Sequence, residues 1–235
     1  MDSIVEFIKN VVFHPSPRSF YLLSAAAIVL YRIPVVDRIL RTFHTLLHES
    51  GHAFAALLTG GKNHRMELNP NMSGLTITES KSKFHQFIIS ISGYPFASAF
   101  AFGGIFLITH DITGVFMITL LVLTAFQLLM NIRNLYGIIW SLAVIALMFL
   151  LLLKMPQLMW ATGVVVNSVV LFESFVMAGH ILLLSFKKPK MAGDAANLHA
   201  LTGIHALIWG VFFFAQAAFF VFISVSQIII WDGYL

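Results

Sequence analysis

Residues 41–61 read RTFHTLLHESGHAFAALLTGG, which sets His44, His48 and His52 four residues apart in an otherwise apolar stretch. That spacing puts the three imidazoles on one face of an α-helix, successive ones about 6 Å apart along the axis. Ionisable groups in so greasy a segment are costly, so the helix must be wrapped by other elements, with its histidine face turned inward.

The surroundings of that helix fix the fold class. Of 235 residues, 59% are hydrophobic and only 10% are charged, and the mean hydropathy is +0.89. A soluble domain carries about 25% charged residues, so this chain reads as an integral membrane protein whose solvent and partner is the lipid bilayer. Hydropathy predicts an all-α polytopic fold with about seven membrane-embedded helical segments, at 19–36, 41–60, 85–109, 112–131, 135–153, 159–186 and 204–231. Pro34 is expected to end or kink the first of them. No internal repeat, linker or soluble domain interrupts the pattern, so residues 1–235 read as a single domain, and no motif specifies an oligomeric state. The N-terminal stretch lacks the basic region and small-residue cleavage site of a signal peptide.

Cysteine is absent, which excludes disulfides, cysteine-ligated zinc, iron–sulfur clusters and thiol nucleophiles. The net charge of +4 does not point to nucleic acid, because the basic residues sit in short clusters between apolar runs. With seven crossings, Lys9, Arg18, Lys62, Arg65, Lys81, Lys83, Arg133, Lys187, Lys188 and Lys190 fall on one side. Arg32, Arg38, Arg41 and Lys154 fall on the other. By the positive-inside rule the N-terminus is then cytoplasmic and the C-terminus outside.

After the histidine helix, NHRMELNPNMSGLTITES (63–80) carries Asn-Pro-Asn and Ser-Gly turn signals between RMEL and the alternating, β-branched GLTIT. It predicts a short β-hairpin with an open edge that must be covered or used. Gly74, Leu75, Thr76, Ile77 and Thr78 are the candidate substrate strand, with the Ile77 N–H as the donor whose loss should hinder pairing.

Within the helix, HESGH (48–52) is H-E-x-x-H. Two imidazoles at i and i+4 can converge on one metal ion, while Glu49, a residue further round, reaches a water without ligating the ion. Zinc-assisted amide hydrolysis needs that division: the ion polarises the carbonyl and acidifies water, and the carboxylate carries the proton. His44 lies about 12 Å along the axis from His52, too far for all three histidines to share one ion from a straight helix. It reads as a supporting group behind the ligands. For the third protein ligand, Asp194 in AGDAANL is the leading candidate, since a small-residue stretch can fold back into a wet cavity within the bilayer. His199 and, more weakly, His205 are its rivals, and a plain helix cap is its bland alternative.

Four stretches together resemble the site-2 protease family of intramembrane zinc metalloproteases, in particular its compact bacterial members without soluble regulatory domains. HTLLHESGHAFAALLTGGK (44–62) is similar to the family's zinc helix, and MELNPNMSGLTIT (66–78) to the β segment after it. SISGYPFASAFAFGG (90–104) is similar to its small-residue helix, and MAGDAANLHALTGIHALIWG (191–210) to the stretch that supplies an aspartate. The resemblance implies one catalytic Zn2+ held by His48, His52 and Asp194, with Glu49 as general base. It implies an integral protein of a bacterial cell membrane, whose substrate is a single-span transmembrane protein cut within the bilayer.

Other polar residues suggest weaker roles. Asn131 and Asn134 could donate to a developing oxyanion or simply satisfy loop backbone. Glu173 and His180, seven apart on one helix, could line an ion path or make a buried polar contact between helices. The alternative reading is a metal-ion or proton transporter that uses the intramembrane His row and Glu173 as stepping sites. Gly93, Ser98 and Gly103 read as close helix packing.

Overall fold

Helices fall where the apolar runs lie. The computed structural model describes residues 2–71 and 73–233. It begins with α1 (Asp2–Phe13), α2 (Pro17–Leu30) and the histidine-bearing α3 (Pro34–Leu58). A hairpin of β1 (Lys62–Leu68) and β2 (Gly74–Glu79) precedes the long helices α4 (Lys83–Thr109), α5 (Thr113–Met130), α6 (Leu135–Lys154) and α7 (Met159–Lys187). The short α8 (Gly193–Thr202) leads into α9 (Ala206–Asp232). Among the described residues, α4, α5, α6, α7 and α9 are long and apolar enough to cross a membrane, and α2 with α3 makes a sixth span if the bent pair is counted as one.

Each of the seven expected segments coincides with a helix, but the first boundary moves. Pro34 opens α3 instead of closing the helix before it. Proline has no N–H to lose at the first helical position, and it forces Ile33 into the extended region (φ −83°, ψ 120°). The chain therefore breaks there, and α2 and α3 are bent by 113°.

A buried ion pair braces the break. Glu173 of α7 accepts on Oε1 from Arg41 Nε (2.7 Å) and Nη2 (2.6 Å) of α3, and on Oε2 from the Tyr31 hydroxyl (2.5 Å). Removing one partner of such a pair leaves an uncompensated charge and costs about 3–5 kcal/mol. Glu173→Leu is therefore expected to lower the thermal unfolding midpoint of detergent-solubilised protein by several degrees, and adding Arg41→Met should recover much of the loss. Equal midpoints for wild type and Glu173→Leu would show that the brace carries nothing.

The long helices give the bundle two ends. α9 runs parallel to α4, with Trp209 against Phe87 (5.5 Å), Phe213 against Tyr94 (4.8 Å), and Gln227 Nε2 on Thr109 Oγ1 (3.1 Å). Phe20, near the start of α2, packs on Trp231 at the end of α9 (6.0 Å), and the Tyr21 hydroxyl lies 3.5 Å from Asp232. The starts of α2 and α4 thus lie at opposite ends, and the start of α2 shares its end with the close of α9. The bent α2–α3 pair therefore begins at the end of the bundle opposite the hairpin. Arg18, in the first turn of α2, lies at that end, away from the hairpin.

The hairpin is antiparallel, with Met66 opposite Thr76, Arg65 opposite Ile77 and Glu67 opposite Leu75. The outer edge of β1 is covered by the α5–α6 loop: Met66 N–H donates to the Asn131 carbonyl (2.8 Å), and Arg133 N–H donates to the Met66 carbonyl (3.0 Å). The Asn134 side chain continues that edge, accepting from Leu68 N–H (3.1 Å) and donating to the Leu68 carbonyl (2.5 Å). Since Met66 turns both backbone groups outward, the Met66–Thr76 pair is a non-hydrogen-bonded one, and Thr76 turns its own N–H and C=O toward the far edge of β2. Among the described residues no strand pairs with that edge. By the same alternation the Ile77 N–H points at β1, which corrects the expectation that it faces a docking strand.

Candidate functional site

Helix α3 is buried along most of its length from Thr42 to Ala56, as the cost of its histidines requires. It lies against α4, and Gly93 of α4 makes the close approach possible. A Cβ there would fall 2.6 Å from both His48 Cε1 and His52 Nε2. Gly93 thus borders the imidazoles themselves, whereas a Cβ at Gly103 would meet nothing within 4 Å. Gly103 is not the packing contact expected of it.

Three ligand atoms form a triangle. His48 Nε2 and His52 Nε2 are 3.1 Å apart, and Asp194 Oδ2 is 3.3 Å from each. Zinc bonds of about 2.0–2.1 Å in a tetrahedral site put neighbouring ligand atoms about 3.3 Å apart, so the donor set and its spacing fit the ion. Among the described residues no other group of histidine and acidic side chains is so arranged. The His52 ring is fixed from behind by Nδ1, which is 2.7 Å from the Ile89 carbonyl of α4. With the proton on Nδ1, Nε2 is left as the ligating lone pair.

Asp194 arrives from outside the helix, in the first turn of α8, where a carboxylate also suits the helix dipole. Gly193 before it has φ +51°, a left-handed conformation that glycine adopts without strain. His199 does not come to the triangle: it is exposed, and its Nδ1 sits 2.9 Å from the Ile204 carbonyl. His205 accepts from Leu207 N–H (3.2 Å) at the start of α9.

Glu49 is buried beneath the hairpin. Thr76 Oγ1 donates to its Oε2 at 2.5 Å, and a Cβ at Gly74 would fall 2.2 Å from its Oε1. A polar cavity of about 350 Å³ opens beside His52 and Asp194, lined also by Thr76, Thr78, Gln86 and Asn197 among others. The arrangement gathers three atoms at the spacing of metal ligands, a buried carboxylate and a chamber between β2, α4 and α8.

The remaining candidates are occupied elsewhere. His44 stacks behind His48 (centroids 6.2 Å apart, 29° between planes) and is outside the ligand triangle. Asn131 Nδ2 donates to Gln127 Oε1 (2.5 Å), and Asn134 binds Leu68 as described, so both amides serve the loop that covers β1. Glu173 is paired with Arg41 and Tyr31 while His180 is exposed, so the two do not line one path. The Thr76–Glu49 bond and the Gly93 contact have no pattern of their own in the sequence, since each joins elements distant along the chain.

The model of the family described as Peptidase M50B-like matches residues 21–224. No curated protein and no solved structure matches the chain.

Proposed function

The chain belongs to the Peptidase M50B-like family, which is the site-2 protease family, and from that premise we propose that it is a zinc-dependent intramembrane endopeptidase. Its substrate is a single-span membrane protein, cut at a peptide bond within the transmembrane segment. The observation that carries this reading is the triangle of His48, His52 and Asp194 with Glu49 one residue round the same helix.

When bound, zinc supplies Lewis-acid polarisation of the scissile carbonyl and makes water acidic enough to attack near neutral pH. His48, His52 and Asp194 would hold it, and the Ile89 carbonyl keeps the His52 ring turned for that task. Glu49 takes the proton from the attacking water and returns it to the amine that leaves, so one carboxylate serves as base and then acid.

A helical amide has its carbonyl hydrogen-bonded and its backbone shielded, so the substrate must be extended before water can reach it. The far edge of β2 receives such a strand, since the Thr76 N–H and C=O point there and Thr76 and Thr78 line the cavity. Thr78 shares the orientation of Thr76 by the two-residue period of a strand. Thr78→Pro removes a backbone donor from the proposed docking edge. It is expected to raise KM about tenfold with zinc content unchanged, and unchanged KM in the folded variant would place docking elsewhere.

Lys62, Lys81, Lys83, Arg133 and Lys187–Lys190 cluster at the hairpin end, and the positive-inside rule assigns that end to the cytoplasm of a bacterial cell. The start of α2 then lies outside, the reverse of the orientation expected from seven crossings. Gly93 is ten residues into α4, so the site sits about 15 Å below the cytoplasmic end of that helix, and water reaches it from that side.

A further inference from the structure

We infer that Thr76 is a positioning residue, whose hydroxyl aims the Glu49 carboxylate while its own backbone forms the edge on which the substrate docks. The inference rests on the proteolytic reading above and adds to it the element that aligns the base.

Three observations converge on this residue. Its Oγ1 donates to Glu49 Oε2 at 2.5 Å and also lies 3.5 Å from the Glu49 carbonyl. Its N–H and C=O point away from β1, because its partner Met66 spends both backbone groups on Asn131 and Arg133. On the other side of the carboxylate, Gly74 comes so close that a Cβ would lie 2.6 Å from both Glu49 Cγ and Cδ. The base is therefore gripped between two alternate residues of one strand. Charge-assisted hydrogen bonds of this kind are short and directional.

The consequence is mechanical. A glutamate carboxylate on its flexible stem samples several rotamers, and one that must carry a proton needs a single direction. Thr76 supplies that direction from the same residue that offers its backbone to the substrate. Any shift of β2 on docking is transmitted to Glu49 through one hydrogen bond, so strand pairing and base alignment are a single event. The bond runs between α3 and β2, and the close Glu49–Gly74 approach ties the same two elements.

The test compares Thr76→Val, Thr76→Ser, Gly74→Ala and Glu49→Gln in the zinc-loaded full chain, with a single-span substrate in liposomes. Valine keeps the shape and β preference of threonine but removes the hydroxyl. Thr76→Val is expected to lower kcat at least tenfold, with KM within twofold of wild type and zinc content unchanged. Thr76→Ser should return kcat to within threefold, and Gly74→Ala should lower kcat by displacing the carboxylate from the other face. Wild-type kcat in Thr76→Val, or serine no better than valine, would overturn the positioning role while leaving the protease reading intact. Full cleavage by Glu49→Gln would instead overturn the protease reading itself.

Discussion

Glu49→Gln is expected to fold, to hold zinc as the wild type does, and to lose cleavage by about two orders of magnitude or more. Glutamine keeps the length and planarity of the side chain, and its amide oxygen can still accept from Thr76 Oγ1, which now meets the carboxylate at 2.5 Å. The ligand triangle of His48, His52 and Asp194 does not include Glu49, so metal content should be untouched. What is lost is the basicity that moves a proton from water to the leaving amine. The readout is the single-turnover rate on a single-span substrate, beside metal analysis of the same preparation. Near-normal cleavage would remove the mechanism, and loss of zinc would mean that Glu49 shapes the metal site.

Asp194→Ala should loosen zinc at least tenfold, while His199→Ala should leave it bound. Two histidines and one water leave a tetrahedral ion short of one protein ligand. Asp194 Oδ2 stands 3.3 Å from both His48 Nε2 and His52 Nε2, and its negative charge would offset part of a bound ion's charge where the surroundings screen it poorly. His199 is exposed and turned to the Ile204 carbonyl. Competition with a chelator of known zinc affinity measures the difference. Zinc lost with His199→Ala and kept with Asp194→Ala would reverse the assignment.

Local patterns were readable in the sequence, and what spans distant elements was not. HESGH implies a helix, a face and two candidate ligands because the 3.6-residue period is a local rule. The hairpin was equally legible from Asn-Pro-Asn and alternating GLTIT, and its register agrees with that alternation. Pro34 was legible as a break but ambiguous in sense, since proline both ends and begins helices. That ambiguity bears on the span count, because α2 and α3 pass as membrane-spanning only as a bent pair taken together. The grip of Thr76 and Gly74 on Glu49, the Gly93 approach to the imidazoles, and the bond between Tyr31 and Glu173 join residues 25 to 142 positions apart. No periodicity reports such pairs.

The central claim, that this site cuts a peptide bond inside a membrane segment, is tested most directly by mass spectrometry of the cleavage products. Purified chain loaded with one equivalent of zinc is reconstituted in liposomes with a single-span protein, wild type beside Glu49→Gln. The account predicts new termini within the apolar segment for wild type and none for the variant. Termini confined to the soluble flanks, or the same products from both proteins, would contradict it.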